Sequence, residues 1–273
     1  MKMTKRRFGL IFGMVAVYFS VIAIGIRLTK LPSFQLGEKL PQHDGMWHRP
    51  SIEAISDPKR RDSVHRGELL FDETPLAGAK YTHAKIACSS CHAEGGIQPF
   101  ASPMVGTPML FPMYSQRAGH KITLKDRIEE CFVRSENGTP LDYNSPDMTA
   151  IVDYIVWLSE RQPDSQPYVR RGLVNLPDLK PDPVHGAEIY SAQCAGCHGD
   201  NGEGNPYLFP PLWGEGSFND GAGMYSIRKM AAFVQHNMPQ NRMGILTPQE
   251  AYDVSAFIHN QPRPKFNKAY GKF

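Results

Sequence analysis

Two short motifs organise the sequence, Cys88-Ser89-Ser90-Cys91-His92 and Cys194-Ala195-Gly196-Cys197-His198. In each, two cysteines lie three positions apart and a histidine follows the second. Thiols at this spacing share one helical turn and can add to the two vinyl groups of a haem, while the adjacent imidazole reaches the iron. A redox dithiol or half of a zinc site would leave the repeated histidine unexplained. The sequence therefore predicts two covalently bound haem c groups.

The chain around the motifs is also repeated. The run GELLF at Gly67–Phe71 matches GAEIY at Gly186–Tyr190, and each repeat ends in a segment with helical periodicity, from Asp147 to Ser159 and from Gln249 to Asn260. No alternating strand pattern appears. We therefore predict an all-α fold with two cytochrome c-like domains in tandem, residues 38–161 and 184–263. A Pro-rich linker at 162–183 joins them, and a basic tail follows at 264–273.

The first 30 residues form a predicted membrane anchor. Basic residues precede an uncharged stretch over residues 8–26, whose length as a helix, roughly 28 Å, matches the hydrocarbon thickness of a bilayer. The alternative is a signal peptide that is cleaved on export. The predicted location is the periplasmic side of the inner membrane, either N-terminally anchored or soluble after cleavage. A formal net charge of +3 gives no support for a nucleic-acid partner.

The two repeats differ at the position expected to supply the second axial ligand of each haem. In the second repeat, Met238 lies 40 residues beyond His198, just before a proline. In the first, Cys131 lies 39 residues beyond His92. A thiolate at that position would stabilise ferric iron, whereas Met/His ligation raises the potential and suits electron transfer. Other candidates remain in each repeat: Met230, Met243 and His236 in the second, and Met104, Met109, Met113, Met148 and His120 in the first.

Three arginines, Arg117, Arg127 and Arg134, surround Cys131 in the sequence. If residues 124–133 are helical, Arg127 and Arg134 lie near the same face as the sulfur. Guanidinium groups bind tetrahedral oxyanions bidentately, so a small dianion is one predicted ligand. Pairing with haem propionates or with nearby acids is the alternative. Those acids are Glu129, Glu130 and Glu136.

Three segments carry a resemblance to a known family: PMYSQR at Pro112–Arg117, DRIEECFVRSENG at Asp126–Gly138 and YIVWLS at Tyr154–Ser159. They resemble the dihaem thiosulfate dehydrogenases, which are related to Cys-ligated haem proteins of the sulfur-oxidation pathway. The resemblance implies an oxidoreductase that joins two thiosulfates into tetrathionate, or runs the reverse reaction. The first haem would be the active site, and the second would pass electrons to a partner cytochrome or a membrane respiratory enzyme.

The resemblance also implies residue roles. His92 and Cys131 would ligate the active-site haem, and His198 and Met238 the second. Arg117, Arg127 and Gln98 would bind the anionic substrate. The alternative function is a membrane-anchored dihaem electron-transfer subunit of a respiratory complex, without substrate chemistry of its own.

Overall fold

The computed structural model describes residues 49–160, 171–205 and 208–271. Within these ranges, helices of 11 residues or more form two sets of three, in the same order along the chain. The first lobe, residues 49–160, contains α1 (Pro58–Asp72), α2 (Leu124–Arg134) and α3 (Pro146–Ser159). The second lobe, residues 171–271, contains α4 (Pro183–Gln193), α5 (Ile227–Asn237) and α6 (Pro248–His259). Both lobes belong to one unit that runs from Trp47 to Phe273.

The outer helices of both lobes begin in the same way. A capping side chain accepts a hydrogen bond from a backbone amide of the first turn, and a proline with its pre-set φ and no N–H occupies the first helical position. These pairs are Asp57-Pro58, Ser145-Pro146, Asp182-Pro183 and Thr247-Pro248. The helices predicted to begin near Asp147 and Gln249, α3 and α6, are therefore confirmed.

In each lobe, the first helix crosses the last one at a glycine. A Cβ atom on Gly67 would collide with the carbonyl oxygen of Ala150, and one on Gly186 with the carbonyl oxygen of Asp253. An aromatic pair flanks each crossing at a similar centroid separation: Phe71 with Tyr154 at 5.3 Å, and Tyr190 with Phe257 at 5.4 Å. The repeated sequence runs therefore encode one repeated helix crossing.

Each lobe has its own hydrophobic core. Met148, Ile151, Ile155 and Leu158 of α3 are at most 2% exposed, as their helical spacing predicts. The residues between α1 and the first motif extend outward, however, because Ala84 and Ile86 pack into the core of the second lobe. This segment between α1 and the first motif thus helps to join the two lobes.

The prediction that the chain contains no strands is wrong in one place. Met113–Ser115 and His120–Ile122 form an antiparallel hairpin immediately before α2. Gly119 has φ of 74° in the turn, a conformation that glycine adopts without steric cost. Strands of three residues are too short to show an alternating pattern, so no periodic signal marks them in the sequence.

The connecting and terminal segments are described in part. Residues 171–182 contain no helix or strand, and the linker bounds of 162–183 stay a prediction. The basic tail contacts the second lobe. Lys265 pairs with Asp220 at 3.2 Å, and the amide of Phe266 donates to Asp220 Oδ1 at 2.7 Å. The predicted anchor at residues 8–26 lies outside the described residues. Among the helices that the structure does describe, none combines the length and apolarity needed to cross a membrane.

Candidate active site

The first motif forms a tight turn after the segment that follows α1. Cys88–Ser90 is a 3-10 turn, and the amides of Cys91 and His92 donate to the carbonyl of Cys88. In the second lobe, Ala195–His198 forms a short helix directly after α4, with the amide of His198 donating to the carbonyl of Cys194. None of the four motif cysteines is in a disulfide bond with another described residue. In both lobes, one turn of chain therefore presents two thiols and an imidazole together.

A backbone carbonyl orients each motif histidine. His92 Nδ1 lies 2.7 Å from the carbonyl oxygen of Ser102, and His198 Nδ1 lies 2.9 Å from that of Pro210. With Nδ1 as the donor, Nε2 keeps its lone pair for a metal. Burial lowers the pKa of His92 to about 4 and also lowers the pKa of His198, so both rings are neutral at pH 7. These residues fit a haem c group, with neutral imidazole ligands and free thiols for its vinyl groups.

Cys131 lies on α2 and faces the first motif. Burial is the main cause of the raised pKa of Cys91, about 12, and negative charge on Cys131 raises it further. The same two effects act on Cys88. Cys131 is therefore close to both motif thiols, in the pocket where the register of the repeats predicts an axial ligand.

The other candidates for that ligand lie elsewhere. Met148 is fully buried in the core of the first lobe, whereas Met109 and Met113 are 69% and 43% exposed. His120 is an exposed residue of the hairpin. Met104 is half-buried beside Gly96, in the loop whose Ser102 carbonyl holds His92. These placements support Cys131 as the second ligand of the first haem.

Arg127 lies near Cys131, and Arg117 and Arg127 both lie near enough to Arg134 for their charges to act on it. Charge on Cys131 is the largest cause of the raised pKa of Arg127, and the charge of Arg127 helps to lower the pKa of His92. Burial lowers the pKa of Arg134, and the charges of Arg117 and Arg127 lower it further. Arg117 is exposed on the turn of the hairpin. The pocket thus concentrates positive charge beside the thiol, as an anion site requires.

Acidic residues modify this charge in two ways that sequence reasoning left open. Arg127 Nη1 donates to Glu130 Oε2 at 2.6 Å, so the expected alternative of pairing with a nearby acid applies to this arginine. Glu136 is only 2% exposed, and burial raises its pKa well above the usual range. Burial thus disfavours the charged form of Glu136 and weakens its repulsion of an anion. Its position in the pocket had no signal in the sequence, because it depends on contacts across the fold.

Gln98 lies in a different setting from the arginines. It is 7% exposed and its amide faces Glu94 of the same loop and Met243 of the second lobe, with the nitrogen 3.8 Å from the Met243 sulfur. Its recorded contacts within the described residues do not include Arg117 or Arg127. The structure brings Arg127 close to Cys131 and Arg117 close to Arg134, but it does not join Gln98 to either arginine.

Met238 follows α5 directly and packs, half-buried, against the second-lobe core, against which Cys194 and Ala195 of the second motif also pack. Its competitors have other environments. Met230 is 6% exposed in the core, and Met243 is 46% exposed. The His236 ring lies against Phe100, with centroids 4.6 Å apart. These placements support Met238 as the second ligand of the second haem.

Comparison with known proteins agrees with this two-lobe architecture. Residues 77–163 match the family model described as "SoxA/TsdA, cytochrome c domain", and residues 183–262 match the model described as "Cytochrome c". Thiosulfate dehydrogenase of Allochromatium vinosum is 38% identical over 232 residues, which cover 81% of this chain and 86% of that protein. Thiosulfate dehydrogenase of Psychrobacter arcticus is 36% identical, over 80% of this chain and 69% of that protein.

A solved structure shows the same relationship. The thiosulfate dehydrogenase (TsdBA) of Marichromatium purpuratum superposes with a TM-score of 0.75 at 33% identity. The match covers 80% of this chain and 50% of that one, so this chain spans about half the length of that protein. Since the similarity to the curated relatives extends over most of both sequences, the chain belongs to the thiosulfate dehydrogenase family of oxidoreductases and carries two covalently bound haem c groups.

Proposed function

We propose that the protein joins two thiosulfate ions into tetrathionate in the pocket of the first lobe. Two dianions lose one electron each, a sulfur–sulfur bond forms between their terminal sulfurs, and a single dianion leaves without any proton transfer. When bound, the two haems supply two one-electron acceptors, enough for one turnover. The observation that carries the proposal is the position of Arg127 beside Cys131, whose charge also acts on the thiols of the first motif, with Arg117 and Arg134 adding positive charge nearby.

The residues that would hold the haems follow from the geometry above. His92 and Cys131 would ligate the first iron, and His198 and Met238 the second. The carbonyls of Ser102 and Pro210 hold the two imidazoles by their Nδ1 atoms. Thiolate ligation by Cys131 would lower the potential of the first haem and ligation by Met238 would raise that of the second, which would favour electron flow from the first lobe to the second.

The arginines solve the main physical problem of the reaction, which is repulsion between two dianions. Fixed guanidinium groups in a partly buried pocket offset that repulsion without reorganisation of solvent. Glu130 holds Arg127 through one nitrogen, Nη1, so that the remaining donors of this guanidinium are available to substrate. Because these electrostatic contacts favour both anions, the same pocket would support tetrathionate reduction when a reductant supplies electrons.

We further propose that the protein works outside the cytoplasm and delivers electrons to a cytochrome or a membrane respiratory enzyme. The basic residues followed by the uncharged stretch at residues 8–26 support export.

The proposal is tested with the oxidised dihaem protein under anaerobic conditions. Addition of thiosulfate should reduce the haems, with two thiosulfates consumed and one tetrathionate formed per two electrons. Cys131→Met serves as the matched variant, because methionine still offers a sulfur ligand to iron. Wild-type protein that ascorbate reduces but thiosulfate does not would contradict the proposal and favour a plain electron carrier.

A further inference from the structure

The second lobe caps the helix that carries Cys131. Asn219 is 1% exposed, and its side-chain nitrogen donates to the carbonyl of Val133 at 2.9 Å. Its backbone amide donates to the carbonyl of Arg134 at 3.2 Å. Both acceptors lie in the last turn of α2, where carbonyl groups have no partner inside the helix. The C-terminal end of α2 is therefore fixed by a loop from the other lobe.

The same region of the second lobe also holds the side chain of Arg134, which is 8% exposed. Its guanidinium lies over the ring of Phe266, 4.0 Å from the centroid, and Nη1 donates to the carbonyl of Gly221 at 3.3 Å. A Cβ atom on Gly221 would lie 2.8 Å from that nitrogen, so glycine leaves the space that the arginine needs. Asp220 fixes Phe266 in turn, by accepting its backbone amide at 2.7 Å.

Arg134 is also part of the positive cluster of the first lobe. The charges of Arg117 and Arg127 both act on it, and Glu130 is the acid that opposes them. Glu130 already pairs with Arg127 at 2.6 Å. Arg127 and Arg134 lie four positions before and three positions after Cys131 on α2, so all three share one face of the helix, and positive charge gathered on that face favours a bound anion.

We propose that Arg134 is a third side chain of the anion site, and that Phe266 and Gly221 position it. The substrate site of the first lobe is then completed by the second lobe and by the C-terminal segment Pro264–Lys268. The identity of the anion rests on the proposed function, but the existence of the site does not. Arg134 raises anion affinity, and Phe266 acts through Arg134 as a positioning residue.

The test measures anion binding and turnover separately. Isothermal titration calorimetry with sulfate, a redox-inert tetrahedral dianion, gives the affinity of the oxidised dihaem protein, and steady-state assays give KM and kcat for thiosulfate. Arg134→Gln should raise both the sulfate Kd and the thiosulfate KM by roughly tenfold, the effect of losing one partly screened charge. Phe266→Ala should raise both by about three- to fivefold, the usual worth of a cation–π contact. In both variants, kcat should stay within about twofold of wild type.

Two matched variants separate positioning from general stability. Phe266→Tyr keeps the aromatic ring and should restore wild-type affinity. Lys268→Ala removes a charge from the same segment without touching the ring and should leave sulfate affinity unchanged.

Unchanged sulfate affinity and KM in Phe266→Ala would overturn the inference, as would failure of Phe266→Tyr to restore them. Equal weakening in Lys268→Ala would also overturn it, because the effect would then be a general one of the tail. Wild-type protein that binds no sulfate would remove the site altogether. Sulfate binding that follows the expected pattern, in a protein that does not oxidise thiosulfate, would support this inference and refute the proposed function alone.

Discussion

Replacement of Arg127 by glutamine should impair thiosulfate binding more than simple loss of one positive charge would. In the native pocket, Arg127 and Glu130 form a pair 2.6 Å apart, and the side chain of Glu130 is only 5% exposed. Arg127→Gln leaves that carboxylate buried without its cation, beside the site where a dianion binds. The substitution thus removes the attraction of Arg127 for thiosulfate and leaves the repulsion of thiosulfate by Glu130 without compensation.

The magnitude follows from Coulomb's law. Two unit charges about 4 Å apart interact by roughly 4 kcal/mol at an effective dielectric constant near 20, and by about 1 kcal/mol in water. Because the side chain of Arg127 is 43% exposed, we take an intermediate value of about 2 kcal/mol, which corresponds to a roughly 30-fold rise in KM. Removing the carboxylate as well, in Arg127→Gln with Glu130→Gln, should recover much of this loss, to within about fivefold of wild type.

The assay is a double-mutant cycle on KM for thiosulfate at fixed ionic strength, with kcat and haem content measured in parallel. Glu130→Gln alone should lower KM or leave it unchanged, because it removes negative charge from the pocket. If the double variant had the same KM as Arg127→Gln, repulsion from Glu130 would have no part in the rise of KM, and this explanation would be wrong.

Three further outcomes are expected. Gly186→Ala should lower the stability of the second lobe by about 1–3 kcal/mol, because its Cβ meets the carbonyl of Asp253, while Gly223→Ala, which faces open space, should change thermal unfolding little; equal melting temperatures would contradict this. The hydrogen bond to Asp253 raises the pKa of His185, so this bond stabilises the fold fully below the unfolded pKa of the histidine and loses its effect as pH rises through the folded pKa. His185→Gln should therefore lower Tm more near pH 5.5 than near pH 8.5. A larger effect at the higher pH would exclude this hydrogen bond as the cause. Met238→His should lower the midpoint potential of the second haem while leaving that of the first unchanged, as redox titration would show, and an unaltered second potential would argue against Met238 as ligand.

Features with a local chemical cause could be predicted from the sequence. The cysteine and histidine spacing of the two motifs, the Ser-Pro and Thr-Pro starts of α3 and α6, and the helical spacing of Arg127 relative to Cys131 each depend on residues a few positions apart. The register of the repeat then extended this local information, since it placed Cys131 where the second repeat has Met238. The structure puts Cys131 beside the first motif, as that register requires.

Features that depend on packing between distant segments could not be predicted in this way. The hairpin that carries Arg117 has strands of three residues, too short for a periodic signal. The raised pKa of Glu136 follows from burial across the fold, whereas the sequence showed this residue only as an acid near the arginines. The C-terminal segment has the composition of a loose tail, yet Phe266 packs on Arg134, more than a hundred residues earlier in the chain.

We propose that a Cys131-ligated haem performs the thiosulfate chemistry. Low-temperature electron paramagnetic resonance on the oxidised wild-type protein and on Cys131→Met tests this directly, with thiosulfate-dependent reduction measured on the same samples. We expect a low-spin thiolate-ligated signal in the wild type, and loss of both that signal and thiosulfate reduction in the variant. Two methionine–histidine signals in the wild type, unchanged by the substitution, would contradict it.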